Sequence, residues 1–231
     1  GCPYGCVFCV SPGYYGRTVR TKSAPNVIRE LRFAASLGVS SVFFFTETFT
    51  LDRGYVTELC AGIAAERLGL TWFCNSRVDT VDLETLRAMR AAGCRIISFG
   101  IESGNQGLLD RAGKRTTVGR AREAVSMARA AGLTTLGHFL LGLPGETEET
   151  ARETIAFARS LPLDFAEFNI VTPYPGSALF ASAAPADFDG IDWSRYEYSR
   201  QVIGGAVDLE AVRARAYRSF YLRPKTLRRA I

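Results

Sequence analysis

The chain has 231 residues, 47% hydrophobic and 22% charged, which supplies one sizeable core and rules out an intrinsically disordered composition. No apolar run is long enough to span a bilayer, so membrane insertion is excluded as a function class, and six cysteines in a chain this long do not make a disulfide scaffold. Reduced thiols and a cytoplasmic location are expected. The net charge of +5 is spread among acids except in the tail "LRPKTLRR", with Arg223, Lys225, Arg228 and Arg229; with so little aromatic interleaving it reads as a solvated end, and no nucleic-acid partner is expected.

In chain order, the loop "GCPYGCVFC" comes first and sets Cys2, Cys6 and Cys9 at spacing C-x3-C-x2-C. A helix follows over about 25–37, with Val27, Ile28, Leu31, Ala34 and Ala35 at helical spacing, Pro25 in its first turn and Gly38 as its stop. Then "VSSVFFFTE" reads as a strand rich in aromatic and β-branched residues. The unit repeats: helices over about 52–68, 82–92, 117–131 and 147–161 yield to "LTWFCNS", "CRIISFGIE", "LTTLGHFLLG" and "DFAEFNIVT". Four of the five steps carry a glycine between helix and strand.

Helices alternating with strands imply a parallel sheet, since parallel neighbours need a crossover. Nearly continuous apolar strands suggest cover on both faces. Periodicity does not separate an open doubly wound sheet from a barrel. After about residue 173 the rhythm gives way to loop with short helical pieces, and a last helix is expected over about 208–222. The expected organisation is a core over 1–180 and an extension over 181–231 packed on it. A strand should precede the cysteine loop, so the sequence reads as a piece of a longer chain lacking that first strand, with an exposed sheet edge beside the loop.

Such sheets place their chemistry at the C-terminal strand ends, where this sequence puts the cysteine loop, Glu47, Arg77, Glu102, Ser103, Gly142 and Thr172. Thiolates select zinc, copper(I) or iron–sulfur clusters. A structural zinc is usually closed by four protein ligands, and a 4Fe–4S cluster by four cysteines. Three thiols in one loop therefore suit either a zinc completed by a distant cysteine or a cluster with one iron left open. Cys60, Cys74 and Cys94 read as core residues, and His138, inside an apolar strand, as packed or barrel-facing.

The loop C-P-Y-G-C-V-F-C, with an aromatic before its third cysteine, resembles the signature of radical S-adenosylmethionine (SAM) enzymes. The resemblance covers about residues 1–180 and implies an α/β fold, a partial (β/α)6 barrel like part of a TIM barrel. It implies that Cys2, Cys6 and Cys9 hold a 4Fe–4S cluster whose fourth iron is chelated by SAM. The reduced cluster then cleaves SAM to a 5′-deoxyadenosyl radical that takes hydrogen from a substrate. By position, Phe8 would meet the adenine and Glu47, at the end of "FFFTET", the methionyl amino group. "FGIESG" would touch the ribose through Glu102 and Ser103. "GHFLLGLPGET" and "FNIVTPYPG" would line the adenine through Gly142 and Thr172. "FFFTET" departs from the family's Gly-Gly-Glu-Pro segment, which leaves Glu47 supported by place and charge alone. Arg77 is a candidate for the SAM carboxylate. No catalytic acid or base is legible.

Taken together, "ETFTLDR", "CNSRVDTVD" and "NIVTPYPGS" resemble the cobalamin-binding branch, whose members methylate or rearrange small organic or lipid substrates. That resemblance raises cobalamin as a further cofactor, bound by an upstream domain, alongside a small-molecule substrate and an electron donor of the flavodoxin or ferredoxin type. Two alternatives stay open: a tRNA methylthiotransferase of the same superfamily, and a non-enzymatic α/β module with structural zinc.

Overall fold

The computed structural model describes residues 1–183, 191–202 and 204–223. Its elements in order are α1 (Ser11–Tyr15), α2 (Ala24–Ser36), β1 (Ser41–Phe44), α3 (Arg53–Glu66), β2 (Thr71–Arg77), α4 (Leu83–Ala91) and β3 (Cys94–Glu102). There follow α5 (Gln106–Arg111), α6 (Val118–Ala130), β4 (Thr134–Leu141), α7 (Glu148–Ser160), β5 (Phe165–Ile170), α8 (Ala178–Ala183) and α9 (Leu209–Tyr221). The five strands form one parallel sheet in the order β1-β2-β3-β4-β5. A doubly wound sheet reverses its strand order at a switch point; this one never does, so it winds in one direction as a barrel wall does.

Five of the helix starts show why sequence reading places them one residue early. Asp52, Asp82, Thr117, Thr147 and Asp208 are caps with extended backbone. Each side chain accepts the N–H three residues on: Tyr55, Thr85, Arg120, Thr150 and Ala211. Such caps satisfy donors that the first helical turn leaves open. The four glycines expected between helix and strand, Gly38, Gly69, Gly93 and Gly132, all have positive φ, the conformation that lets the chain reverse without a Cβ clash.

Cover is not equal on the two faces. Along β4, Thr135, Gly137, Phe139 and Leu141 are buried, while Thr134, Leu136, His138 and Leu140 are half-buried. The buried set joins Trp72, Cys74, Ile97, Phe99 and Phe168 in the core under the helices. The other face is only partly covered, because it carries His138, Glu167 and Asn169 among its apolar residues. At one sheet edge, Phe45 follows β1 and is 82% exposed. At the other edge, β5 is occupied by side chains. Tyr221 Oη accepts from Ala166 N (3.1 Å) and donates to Ala166 O (2.9 Å), and Tyr217 Oη accepts from Phe168 N (3.2 Å). Arg213 Nε donates to Phe168 O (2.8 Å). These bonds satisfy edge groups that would otherwise template another strand.

Arg223, expected in a solvated basic tail, is 8% exposed and stacks on Phe220 at 3.7 Å while donating to Arg159 O and Leu163 O. Its charge is turned into the fold rather than out to solvent. Lys225, Arg228 and Arg229 lie outside the described residues.

Candidate active site

The cysteine loop is pinned from three directions. Cys2 N donates to Gly16 O (3.1 Å), Val7 N to Ala112 O (3.0 Å), and Leu179 N to Val7 O (2.8 Å). Cys9 N donates to Cys6 O (3.1 Å), closing a tight turn between the second and third thiols. Gly113 sits against this turn at φ +64, and a Cβ there would lie 3.1 Å from Gly5 O. The loop can approach so closely only because that residue is glycine.

All three loop thiols line one cavity of about 330 Å³ at the C-terminal ends of the strands, together with Phe8, Glu47, Asn75, Arg77, Glu102, Lys114, His138 and Asn169. Seven of the ten predicted site residues therefore meet there: Cys2, Cys6, Cys9, Phe8, Glu47, Arg77 and Glu102. Thr172 lines an adjoining cavity of about 200 Å³ that shares Phe8 and Asn169 and is walled by Tyr174 and Tyr198. Its hydroxyl donates to Ile170 O and Glu197 O, both at 3.3 Å.

Two predicted residues stand apart. Ser103 is fully buried and its Oγ is 3.0 Å from Thr154 Oγ1 and accepts from Asn105 N at 3.1 Å. Its place after β3 is right, but its hydroxyl serves the joint between that strand end and α7. Gly142 lines a separate cavity of about 240 Å³ beside Leu209 and Gln201; its N–H donates to Glu146 Oε2 at 2.5 Å. Burial pushes the Glu146 carboxyl up, against the hydrogen bonds it accepts from Gly142, Thr150 and Leu143.

Arg77 does not present an open fork. Its Nε and Nη2 each donate to Asp79 at 2.9 Å, and Nη2 also donates to Lys114 O at 2.6 Å. The guanidinium carbon lies 3.6 Å from the Tyr4 ring centroid. Burial disfavours its charge, but the Asp79 carboxylate overcomes this and holds its pKa above the ordinary value. Asp79 thus fills the Nε–Nη2 edge, and a ligand carboxylate at Arg77 would have Nη1 alone to meet.

Glu102 faces a cation that sequence reading missed. Lys114 Nζ donates to Glu102 Oε1 at 2.5 Å, with both side chains under a tenth exposed. A register shift in the β3–β4 ladder at Gly100/Glu102 and φ +67 at Glu102 re-aim the carboxylate at the strand end. Gly100 makes the room, since a Cβ there would lie 2.6 Å from Glu102 Oε1. Lys114 carries no motif; only the paired turn after α5 brings it back to β3. His138 faces the cavity, as one of its two expected placements had it. Its Nδ1 stands 3.0 Å from Glu167 Oε2.

The other three cysteines are buried in the core, while those of the loop are half-exposed. Burial pushes the Cys60 thiol up to about 12 and Cys74 well above its ordinary value. Alkylation of the folded, metal-free protein at pH 8 is therefore expected at Cys2, Cys6 and Cys9. Cys60 should react on the order of a thousandfold more slowly than a thiol of ordinary pKa, through its smaller thiolate fraction. Peptide mass spectrometry reads the difference, and equal labelling of all six would contradict this burial.

The sequence pattern of the Radical SAM superfamily matches residues 1–158. The chain belongs to the radical SAM superfamily. A curated relative, an uncharacterized methyltransferase of Pyrococcus horikoshii, is 36% identical over 98% of the chain and 51% of its own length. The anaerobic magnesium-protoporphyrin IX monomethyl ester cyclase of Cereibacter sphaeroides is 33% identical over 86% of the chain and 33% of its own length. The radical SAM methyltransferase TsrM of Kitasatospora setae, solved with cobalamin and a [4Fe-4S] cluster bound, superposes with a TM-score of 0.75. That match covers 80% of this chain and 38% of TsrM at 24% identity, a likeness of fold. The chain thus spans about half the length of the first relative and a third of the second.

The superfamily implies a cluster held by three cysteines, and the donor chemistry fits. Three unpaired thiols from one pinned loop line a single cavity, with Arg77 and Lys114 supplying positive charge against thiolates. Among the described residues no three metal-binding side chains are already arranged round a common point, so the thiols share the cavity without converging. Burial pushes the Cys6 thiol up, while Lys114 and Arg77 pull the other way. None of the described helices is long and apolar enough to cross a membrane.

Proposed function

We propose that Cys2, Cys6 and Cys9 hold a 4Fe–4S cluster and that the cavity beside them binds SAM for radical chemistry on a small organic or lipid substrate. The observation that carries this is the meeting of three loop thiols with Glu47 and Glu102 around one cavity at the strand ends. When bound and reduced, the cluster supplies the electron that splits SAM into methionine and a 5′-deoxyadenosyl radical.

The chain's own residues bind and orient. Glu47 offers a carboxylate to the methionyl ammonium. Glu102 has one oxygen committed to Lys114, leaving the other for a ribose hydroxyl. Phe8 and Thr172 border the adjoining cavity, whose aromatic walls suit a planar base. Ser103 ties the strand end that carries Glu102 to α7, and Gly142 shapes the loop after β4 through its bond to Glu146. His138, Glu167 and Asn169 lie toward the half-covered face and offer the substrate hydrogen bonds.

The methyltransferase names of the Pyrococcus relative and of TsrM support methyl transfer, and the cobalamin bound in TsrM supports cobalamin supplied from outside this chain; a low-potential flavodoxin or ferredoxin would serve as electron donor. Residues 1–180 would form the radical core and 181–231 an extension on it, in a cytoplasmic protein. Anaerobic reconstitution of the full-length protein is the test. Iron at about four per chain, and 5′-deoxyadenosine formed from SAM with a reductant, are expected. Stoichiometric zinc with no SAM cleavage would overturn the reading.

A further inference from the structure

Arg77 has five N–H donors, and the three on Nε and Nη2 are spent within the protein. Nε and one Nη2 hydrogen go to Asp79, Nη2 also serves Lys114 O, and one face of the guanidinium lies on Tyr4. What remains is Nη1, which stands 4.0 Å from Cys6 Sγ. The side chain is 6% exposed, so the direction of Nη1 is set by Asp79, the Lys114 carbonyl and Tyr4 rather than by solvent. A guanidinium fork is rigid and always charged. Fixing Nε and Nη2 aims Nη1.

We infer that Arg77 is a positioning and tuning residue for the cluster loop, donating an N–H···S hydrogen bond to the Cys6 thiolate and setting the potential at which the bound cluster is reduced. The inference rests on the cluster reading above. Hydrogen bonds to ligand sulfur and nearby charge are known levers on iron–sulfur potentials. Reduction adds negative charge next to Arg77, so this donor stabilises the reduced state. Asp79 works the other way: its carboxylate aims the guanidinium and also adds negative charge beside it. The two members of one ion pair therefore affect the potential in opposite directions, which a purely structural clamp would not do.

The test is an anaerobic redox titration of the reconstituted full-length protein, followed by the electron paramagnetic resonance of the reduced cluster, with no substrate and no turnover. Relative to the unsubstituted protein, Arg77→Gln is expected to lower the midpoint potential and Asp79→Asn to raise it. If Arg77→Gln takes up no iron, Arg77→Lys, which keeps the charge but loses the directed donor, carries the same comparison with a smaller fall. Unchanged potentials, or shifts of the same sign in both variants, overturn the inference. If the unsubstituted protein itself assembles no 4Fe–4S cluster, the cluster reading fails and the inference with it; an intact cluster with unmoved potentials sinks the inference alone.

Discussion

Replacing Cys6 by alanine in the full-length protein is expected to abolish cluster binding, with reconstituted iron falling to background and 5′-deoxyadenosine formation dropping at least about a hundredfold, roughly 2.7 kcal/mol or more in barrier terms. The fold should barely notice. Cys6 is only half-buried, and the bonds that pin the loop run through backbone atoms of Cys2, Val7 and Cys9, which the substitution leaves in place. A change of melting temperature within a few degrees is expected. Cys74→Ala provides the contrast. That side chain is fully buried between sheet and helices, so its loss costs stability, on the order of 1 kcal/mol for a small deleted core group, while iron content stays at the unsubstituted level. The two variants separate a ligand from a core thiol by opposite patterns of iron and stability. Retained iron and activity in Cys6→Ala would refute the assignment of the loop.

What the sequence makes legible is local or periodic. Five helix-to-strand steps follow from spacing, and four of their stops follow from glycines whose φ is positive in the fold. The winding direction of the sheet is not local: it depends on which strands pair, and the ladder had to be seen. The three-cysteine loop is compact in sequence and so is legible with its neighbours Phe8, Glu47 and Glu102. Gly142 and Ser103 sit at the right strand ends, yet an alternation of one residue, or a bulge, decides which cavity a strand-end residue enters. The partners of the charged groups are the least legible. Asp79 follows Arg77 by two positions and fills its fork, but nothing in "NSRVDT" distinguishes that from an open guanidinium. Lys114 reaches Glu102 only because α5 and its turn fold back, and Tyr4 reaches Arg77 only through the docking of the whole loop.

Glu102 and Lys114 form the most consequential of those pairings. Both ends are buried, and breaking such a pair by removing one partner strands a charge, at a cost of about 3–5 kcal/mol. Lys114→Met is therefore expected to lower the melting temperature by on the order of 10 °C, taking roughly 2–4 °C per kcal/mol for a chain of this size. Glu102→Gln should cost a similar amount. The backbone adds to the argument: Glu102 holds φ +67, a conformation that costs a non-glycine residue roughly 1–2 kcal/mol and persists only because its surroundings hold it there. The double variant Glu102→Gln, Lys114→Met leaves no unpaired charge and should recover much of the lost stability, since a buried ion pair is often replaceable by neutral groups. Binding of SAM should not recover with it. If the carboxylate at position 102 accepts a ribose hydroxyl, both variants lacking it bind SAM more weakly by the worth of a charged hydrogen bond, about 1.5–3 kcal/mol or roughly 10- to 150-fold. Lys114→Met, which keeps the carboxylate, should retain binding once corrected for the folded fraction. Equilibrium dialysis of SAM alongside thermal melts reads both quantities. Stability and SAM binding rising together in the double variant would assign the pair to the fold alone.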